Sequence, residues 1–199
     1  YLRALEETSH HSLVFQKSNS PGVCKRMGYR MYTEKDLSIA HDFFNAHGLT
    51  ATFEDQAFQG RTLHVNDPLG VPLEFCAEMD QKPSLMQTFH KHHGASPASF
   101  DHVQIATHDV DTALKWYSEL GFRLTEYTAD DNTDEVWGIW LKRKNNTQDV
   151  VFSAGIGPRL HHFAYNVPEV ANIIHVADVM SSLGLAHTMD RGPGSHGIA

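Results

Sequence analysis

Positive charge is scarce in this sequence, and so are cysteines and long apolar runs. Lys and Arg number 16 against 24 Asp and Glu, for a formal net charge of −8. No long basic run occurs. Nucleic acid and anionic membrane surfaces are therefore not expected partners. A small anionic substrate is not excluded, because local charge can oppose the global sign. No stretch of about 18 apolar residues exists, so nothing reads as a membrane-spanning helix. The two cysteines, Cys24 and Cys76, lack metal or redox spacing. They read as free thiols in a reducing compartment, which implies a cytoplasmic protein. An initiator methionine is also missing. The chain opens on Tyr1-Leu2-Arg3-Ala4-Leu5 and stops at Gly197-Ile198-Ala199. Both ends read as the inside of an element, so a longer parent chain is expected.

Against these deficits stand 15 histidines and a hydrophobic content of 41%, the latter ordinary for a globular domain. The clearest pattern is a unit that occurs three times: a short strand, an acidic helix start, an amphipathic helix and a Gly stop. The first copy runs from Met27-Gly28-Tyr29-Arg30-Met31 through Thr33 and Asp36 to Gly48. Thr33 and Asp36 fit a capping box, and Leu37, Ala40, Phe43 and Phe44 form an apolar stripe. The second runs from His102-Val103-Gln104-Ile105-Ala106 to Gly121, with Ala113, Trp116, Tyr117 and Leu120 as its stripe. The third runs from His162-Phe163-Ala164-Tyr165 to Gly184, with Val170, Ile173, Ile174 and Ala177. A terminal Gly suits the left-handed cap that ends a helix.

Strand-like runs lie between the copies. They include Leu13-Val14-Phe15, Thr62 to Val65, Val71 to Phe75, Val136 to Leu141, and Val150 to Phe152. Asn66-Asp67-Pro68-Leu69-Gly70 has the residues of a tight turn. The plan is strand, helix and three strands, repeated. The expected class is α+β, with an N-terminal domain over 1–82, a connection over 83–99 and a C-terminal domain over 100–199.

His102 and His162 hold equivalent places, each on the first strand of a repeat. Alternate strand residues share a face, so His102 sides with Gln104 and Ala106, and His162 with Ala164 and Asn166. Two imidazoles entering one cup could supply two-thirds of a two-histidine, one-carboxylate triad, which suits non-haem Fe(II). A single strand histidine is more often a core residue. The pairing at equivalent positions gives the metal reading its weight.

Three segments carry a family resemblance. They are Phe100-Asp101-His102-Val103, Gly157-Pro158-Arg159-Leu160-His161-His162-Phe163-Ala164 and Arg191-Gly192-Pro193-Gly194-Ser195-His196-Gly197. They resemble the signatures of type I extradiol dioxygenases in the vicinal-oxygen-chelate superfamily, whose paired βαβββ modules cup a metal. The Arg-Gly-Pro-Gly form is most similar to the homoprotocatechuate 2,3-dioxygenase branch. The resemblance implies opening of a catechol ring with O2 at Fe(II), or less often Mn(II), to give a semialdehyde. It implies His102 and His162 as metal ligands and a third, glutamate ligand beyond Ala199. His161 would point to the other face. His196 would hydrogen-bond a catecholic oxygen, Arg191 would pair with a substrate carboxylate, and Trp140 would line the pocket. A homo-oligomer, a tetramer by family, is implied too.

The pattern also departs from the family. An acid–base histidine is expected on the strand before Gly157, and counting back reaches Gln148. Glutamine can hydrogen-bond a bound oxygen species but cannot shuttle a proton. Gln104 stands where that branch has asparagine. Met27 to Met31 hold no ligand-type residue, so the first domain is read as metal-free, with Glu74 as a relic or structural acid. Two other readings remain open on the same fold: a glyoxalase-like, metal-dependent isomerase or transferase, and a metal-free module that binds a small molecule.

Overall fold

Residues 1–189 are described by a computed structural model. It divides into two compact units. The larger comprises Gln16–Asp80 and Asp101–Ala164; the smaller comprises Tyr1–Phe15, Gln81–Phe100 and the chain from Tyr165.

The first repeat folds as β1 (Met27–Arg30), α1 (Glu34–Ala46), β2 (Thr52–Gln56), β3 (Gly60–Asn66) and β4 (Pro72–Cys76). The sheet order is β1-β4-β3-β2, with β1 parallel to β4 and the other pairs antiparallel. Helix α1 begins where its capping box predicts: Thr33 Oγ1 accepts the Asp36 N–H at 3.2 Å, and Asp36 Oδ2 accepts the Thr33 N–H at 2.9 Å. Both bonds satisfy donors that the first helical turn leaves orphaned. Leu37 and Phe44 are fully buried on its inner face.

The second repeat repeats the topology. It comprises β5 (Ser99–Thr107), α2 (Val110–Glu119), β6 (Arg123–Ala129), β7 (Val136–Lys142) and β8 (Val150–Ala154). The first strand of the third copy, β9 (Arg159–Asn166), joins the same sheet, in the order β6-β7-β8-β5-β9. The paired βαβββ plan is thus present, as α+β modules. Ile105, Ile139, Leu141, Val150 and Phe152 face the core, with Ala113, Trp116 and Tyr117 of α2 packed in it. The core is continuous through the larger unit: the Phe44 and Trp116 rings lie 6.2 Å apart. The Tyr117 hydroxyl donates to Asp67 Oδ2 at 3.0 Å, while Asp67 Oδ1 accepts the Leu69 and Val71 N–H groups of the tight turn. Burial pushes the Asp67 carboxyl up, and these bonds oppose it.

Three expectations need correction. Leu13-Val14-Phe15 is no strand: Leu13 forms an isolated bridge to Leu2, and Phe15 is exposed. The run at Tyr1 to Leu5 likewise yields only that bridge. Helix α3 (Val170–Ser182) forms as expected, but no residue in it is buried, and Val170 is 74% exposed. An apolar stripe at helical spacing marks which face wants cover, and here the cover among the described residues is partial: Ile173 and Ala177 are half-buried, Val170 and Ile174 exposed.

Glu74 lies on β4 within the first sheet. It pairs in register with Gly28 on one side and His64 on the other. A Cβ at Gly28 would lie 3.4 Å from Glu74 Oε1, so the glycine leaves space for the carboxylate. The Gln59 amide donates to that oxygen at 3.4 Å.

Candidate metal centre and active site

Strand alternation puts Val103 and Ile105 into the core and turns His102 and Gln104 to the opposite face. Cross-strand register extends that face. Gln104 pairs with Val151, and Val151 pairs with Trp140, so Trp140, Val151 and Gln104 form one transverse row. The Gln104 amide donates to Ser153 Oγ at 3.0 Å, which fixes its direction along the sheet. Gly138 makes room for Trp140, since a Cβ there would fall 3.2 Å from the indole and 2.5 Å from Thr128 Oγ1.

Strand β9 brings in the second histidine. Its approach is close at Gly157, where a Cβ would stand 1.9 Å from the Ala106 carbonyl oxygen. No side chain fits there, which gives the glycine of the Gly157-Pro158-Arg159-Leu160-His161-His162 segment a packing reason. His102 Nε2 and His162 Nε2 then face each other at 3.3 Å, with ring planes at 76°.

The hydrogen-bond network assigns the tautomer. Asp101 Oδ2 lies 2.6 Å from His102 Nδ1 and accepts its proton, leaving the Nε2 lone pair directed at His162. His161 is exposed, as its strand parity predicts, yet its Nδ1 reaches His162 Nδ1 at 2.8 Å. When His162 Nδ1 is the donor in that contact, its Nε2 lone pair is free as well. Burial pushes the His162 pKa down, with the His102 and His161 rings adding to the shift, so the neutral, ligating form is favoured. Two lone pairs at 3.3 Å repel unless a cation, or a shared proton, sits between them. Nitrogen ligands at 2.1 Å on adjacent vertices of an octahedral ion stand about 3.0 Å apart. The pair therefore fits a divalent metal. Among the described residues no third His, Cys, Asp or Glu completes a cluster.

Gln148 also reaches this point. Its amide nitrogen lies 3.2 Å from His102 Nδ1 and 3.5 Å from Nε2. The structure thus brings together His102, His162 and Gln148, with Gln104 and Trp140 on the same sheet face. Arg191 and His196 lie outside the described residues. Asp101, Ser153 and Asp149 were missed as contributors. The Asp-His pair was visible in the sequence, but a carboxylate one residue before a strand histidine has no fixed partner until the rotamers are known. A cavity of about 760 Å³ elsewhere in the larger unit, lined by Lys25, Arg26, Thr52, His64 and Asn66 among others, includes none of these residues.

Comparison with known proteins bears on this geometry. Residues 99–199 match the family described as Glyoxalase/Bleomycin resistance protein/Dioxygenase superfamily. The whole chain aligns at 26% identity with 67% of the manganese-dependent 2,3-dihydroxybiphenyl 1,2-dioxygenase of Geobacillus genomosp. 3. Homoprotocatechuate 2,3-dioxygenase from Brevibacterium fuscum, solved as a point mutant, superposes with a TM-score of 0.93 at 34% identity, over 98% of this chain and 54% of that one. The Arthrobacter globiformis enzyme of the same name gives 0.92 at 30% identity, over 98% of this chain and 61% of that one. The chain spans roughly half to two-thirds of the length of these relatives. With its matched half carrying both facing histidines, the chain belongs to the Glyoxalase/Bleomycin resistance protein/Dioxygenase superfamily.

Proposed function

We propose that the protein is an extradiol dioxygenase that opens a catechol ring with O2, homoprotocatechuate or catechol being the substrate. The observation that carries this is the His102–His162 pair, two imidazoles converging at 3.3 Å on one sheet face. His102 and His162 would hold a divalent ion, Fe(II) or Mn(II), which would supply Lewis-acid and redox chemistry to a chelating diol when bound. The manganese dependence named for the Geobacillus relative keeps both ions in view.

The chain's own residues have separable tasks. His102 and His162 hold the ion, and Asp101 keeps His102 in its ligating tautomer. Gln148 offers an amide N–H beside His102 but no titratable proton, so it would act as a hydrogen-bond donor and not as a proton relay. Trp140 forms an apolar wall and Gln104 a fixed polar floor. Arg191 binds a carboxylate on the substrate side chain through paired N–H donors. His196 hydrogen-bonds the catecholic oxygen, donating or accepting near neutral pH. In domain terms, residues 1–82 are a metal-free half, 83–99 a connection and 100–199 the catalytic half. A cytoplasmic location, supported by free Cys24 and Cys76, and a homo-oligomer implied by the family resemblance complete the reading. Among the described residues no helix is long and apolar enough to cross a membrane.

The test is O2 uptake by the metal-loaded full-length protein given catechol or homoprotocatechuate, with absorbance of the ring-opened product followed in parallel. Stoichiometric uptake and product are expected. Bound metal without ring cleavage would favour a glyoxalase-like isomerase or transferase. Absence of metal would favour a binding module.

A further inference from the structure

We infer that Asp149 is a positioning residue for the candidate site: it gathers the β7–β8 loop so that Gln148 rests on His102. The inference rests on the proposed function for its kinetic consequence, but its geometry stands apart from it. The Asp149 side chain is 8% exposed. One of its oxygens, Oδ2, accepts the Arg143 N–H at 2.5 Å and the Lys144 N–H at 2.9 Å. The other, Oδ1, meets the Lys144 ammonium at 3.0 Å and the Asn146 amide at 3.1 Å. Four donors on one buried carboxylate fold the loop over 143–148 onto a single point.

Its backbone ties that point to the histidine strand. The Asp149 carbonyl accepts the N–H of Val103, the residue after His102, and the Asp149 N–H donates to Leu141 at the end of β7. Lys144 Nζ also donates to the Asp101 carbonyl at 3.3 Å. Asn146 bonds the Gln148 carbonyl, and Thr125 Oγ1 donates to the Thr147 carbonyl at 2.9 Å. Gln148 therefore has little freedom of its own. Its place against His102 is set by a carboxylate one residue along whose side-chain partners are Arg143, Lys144 and Asn146 of the loop.

The experiment uses full-length protein carrying ¹⁵N-labelled histidine, first without metal. Asp149→Asn is expected to move the His102 ring resonances in the same direction as Gln148→Ala does. Lys144→Ala, which alters a side chain that is 58% exposed, is expected to move them less and the same way. In the metal-loaded protein, Asp149→Asn is expected to lower kcat about tenfold with KM for the catechol held. Combined with Gln148→Ala it is expected to cost no more than Gln148→Ala alone. Unmoved His102 resonances in Asp149→Asn, or losses that add in the double variant, overturn the inference. Should Asp149→Asn fail to fold, unmoved resonances in Lys144→Ala overturn it instead. A wild-type protein without ring cleavage would defeat the proposed function, and the resonances would still decide the role of Asp149.

Discussion

At the scale of single residues, two carboxylates set the state of the candidate site. Asp101 orders the His102 tautomer through a 2.6 Å contact, and Asp149 orders the neighbouring loop through four. Burial alone would raise the Asp149 pKa, but the Arg143 and Lys144 N–H groups and the Lys144 ammonium hold it below the ordinary carboxylate value of 3.8. The sign of the stability effect follows. A carboxyl that is more acidic folded than unfolded contributes stability above its unfolded pKa, and that contribution is lost as pH falls through the folded pKa. The gap in denaturant midpoint between wild type and Asp149→Asn is thus expected to be full above about pH 4 and to close in stronger acid. A gap constant across that range would contradict it. His102 and His162 were legible in the sequence because equivalent repeat positions single them out. Asp149 was not, since an Asp before a strand declares neither its partners nor its burial.

At the scale of elements, legibility followed burial through the first two copies, whereas β9 and α3 of the third were legible with no buried residue. Helices α1 and α2 and strands β3, β4, β7 and β8 carry apolar periodicity, because a face of each meets the core. Strands β2 and β6 were not singled out. They are the outer strands of their sheets, and Thr52–Gln56 and Arg123–Ala129 have no buried residue. A strand paired on one edge and wet on its faces leaves little hydrophobic signal. The reverse error occurred at Leu13-Val14-Phe15, where apolar residues lack a strand partner. Turn chemistry was the better guide: the Asp67 to Gly70 turn forms with Gly70 at φ 83°, a left-handed conformation that suits glycine. This turn also receives α2, through the Tyr117 hydroxyl on Asp67. Tyr117 is completely buried, so Tyr117→Phe removes a donor that no water replaces. The expected cost is about 1–3 kcal/mol, read from equilibrium denaturation. A cost near zero would mean that the turn's N–H groups alone satisfy Asp67.

At the scale of the whole molecule, the repeat explains how the facing histidine pair arises from a duplicated plan. Strand β1 of the first copy pairs with β4 in one sheet, while the first strands of the second and third copies, β5 and β9, lie side by side in the other. A histidine at the start of each then meets its counterpart without any special loop. The first sheet follows the same plan with Gly28 and Glu74 in register, and spends that row on a structural contact. The superfamily and the histidine pair were readable from sequence because motif spacing is linear information. The second tier of contacts was not, because it depends on strand register and loop closure. The central claim is that His102 and His162 together hold one divalent ion. Its most direct test is a Mn(II) titration of the full-length protein followed by electron paramagnetic resonance, alongside His102→Ala and His162→Ala variants checked for folding. One tight ion per wild-type chain, lost in either variant, is the predicted result. Unchanged Mn(II) stoichiometry and affinity in both variants would contradict it.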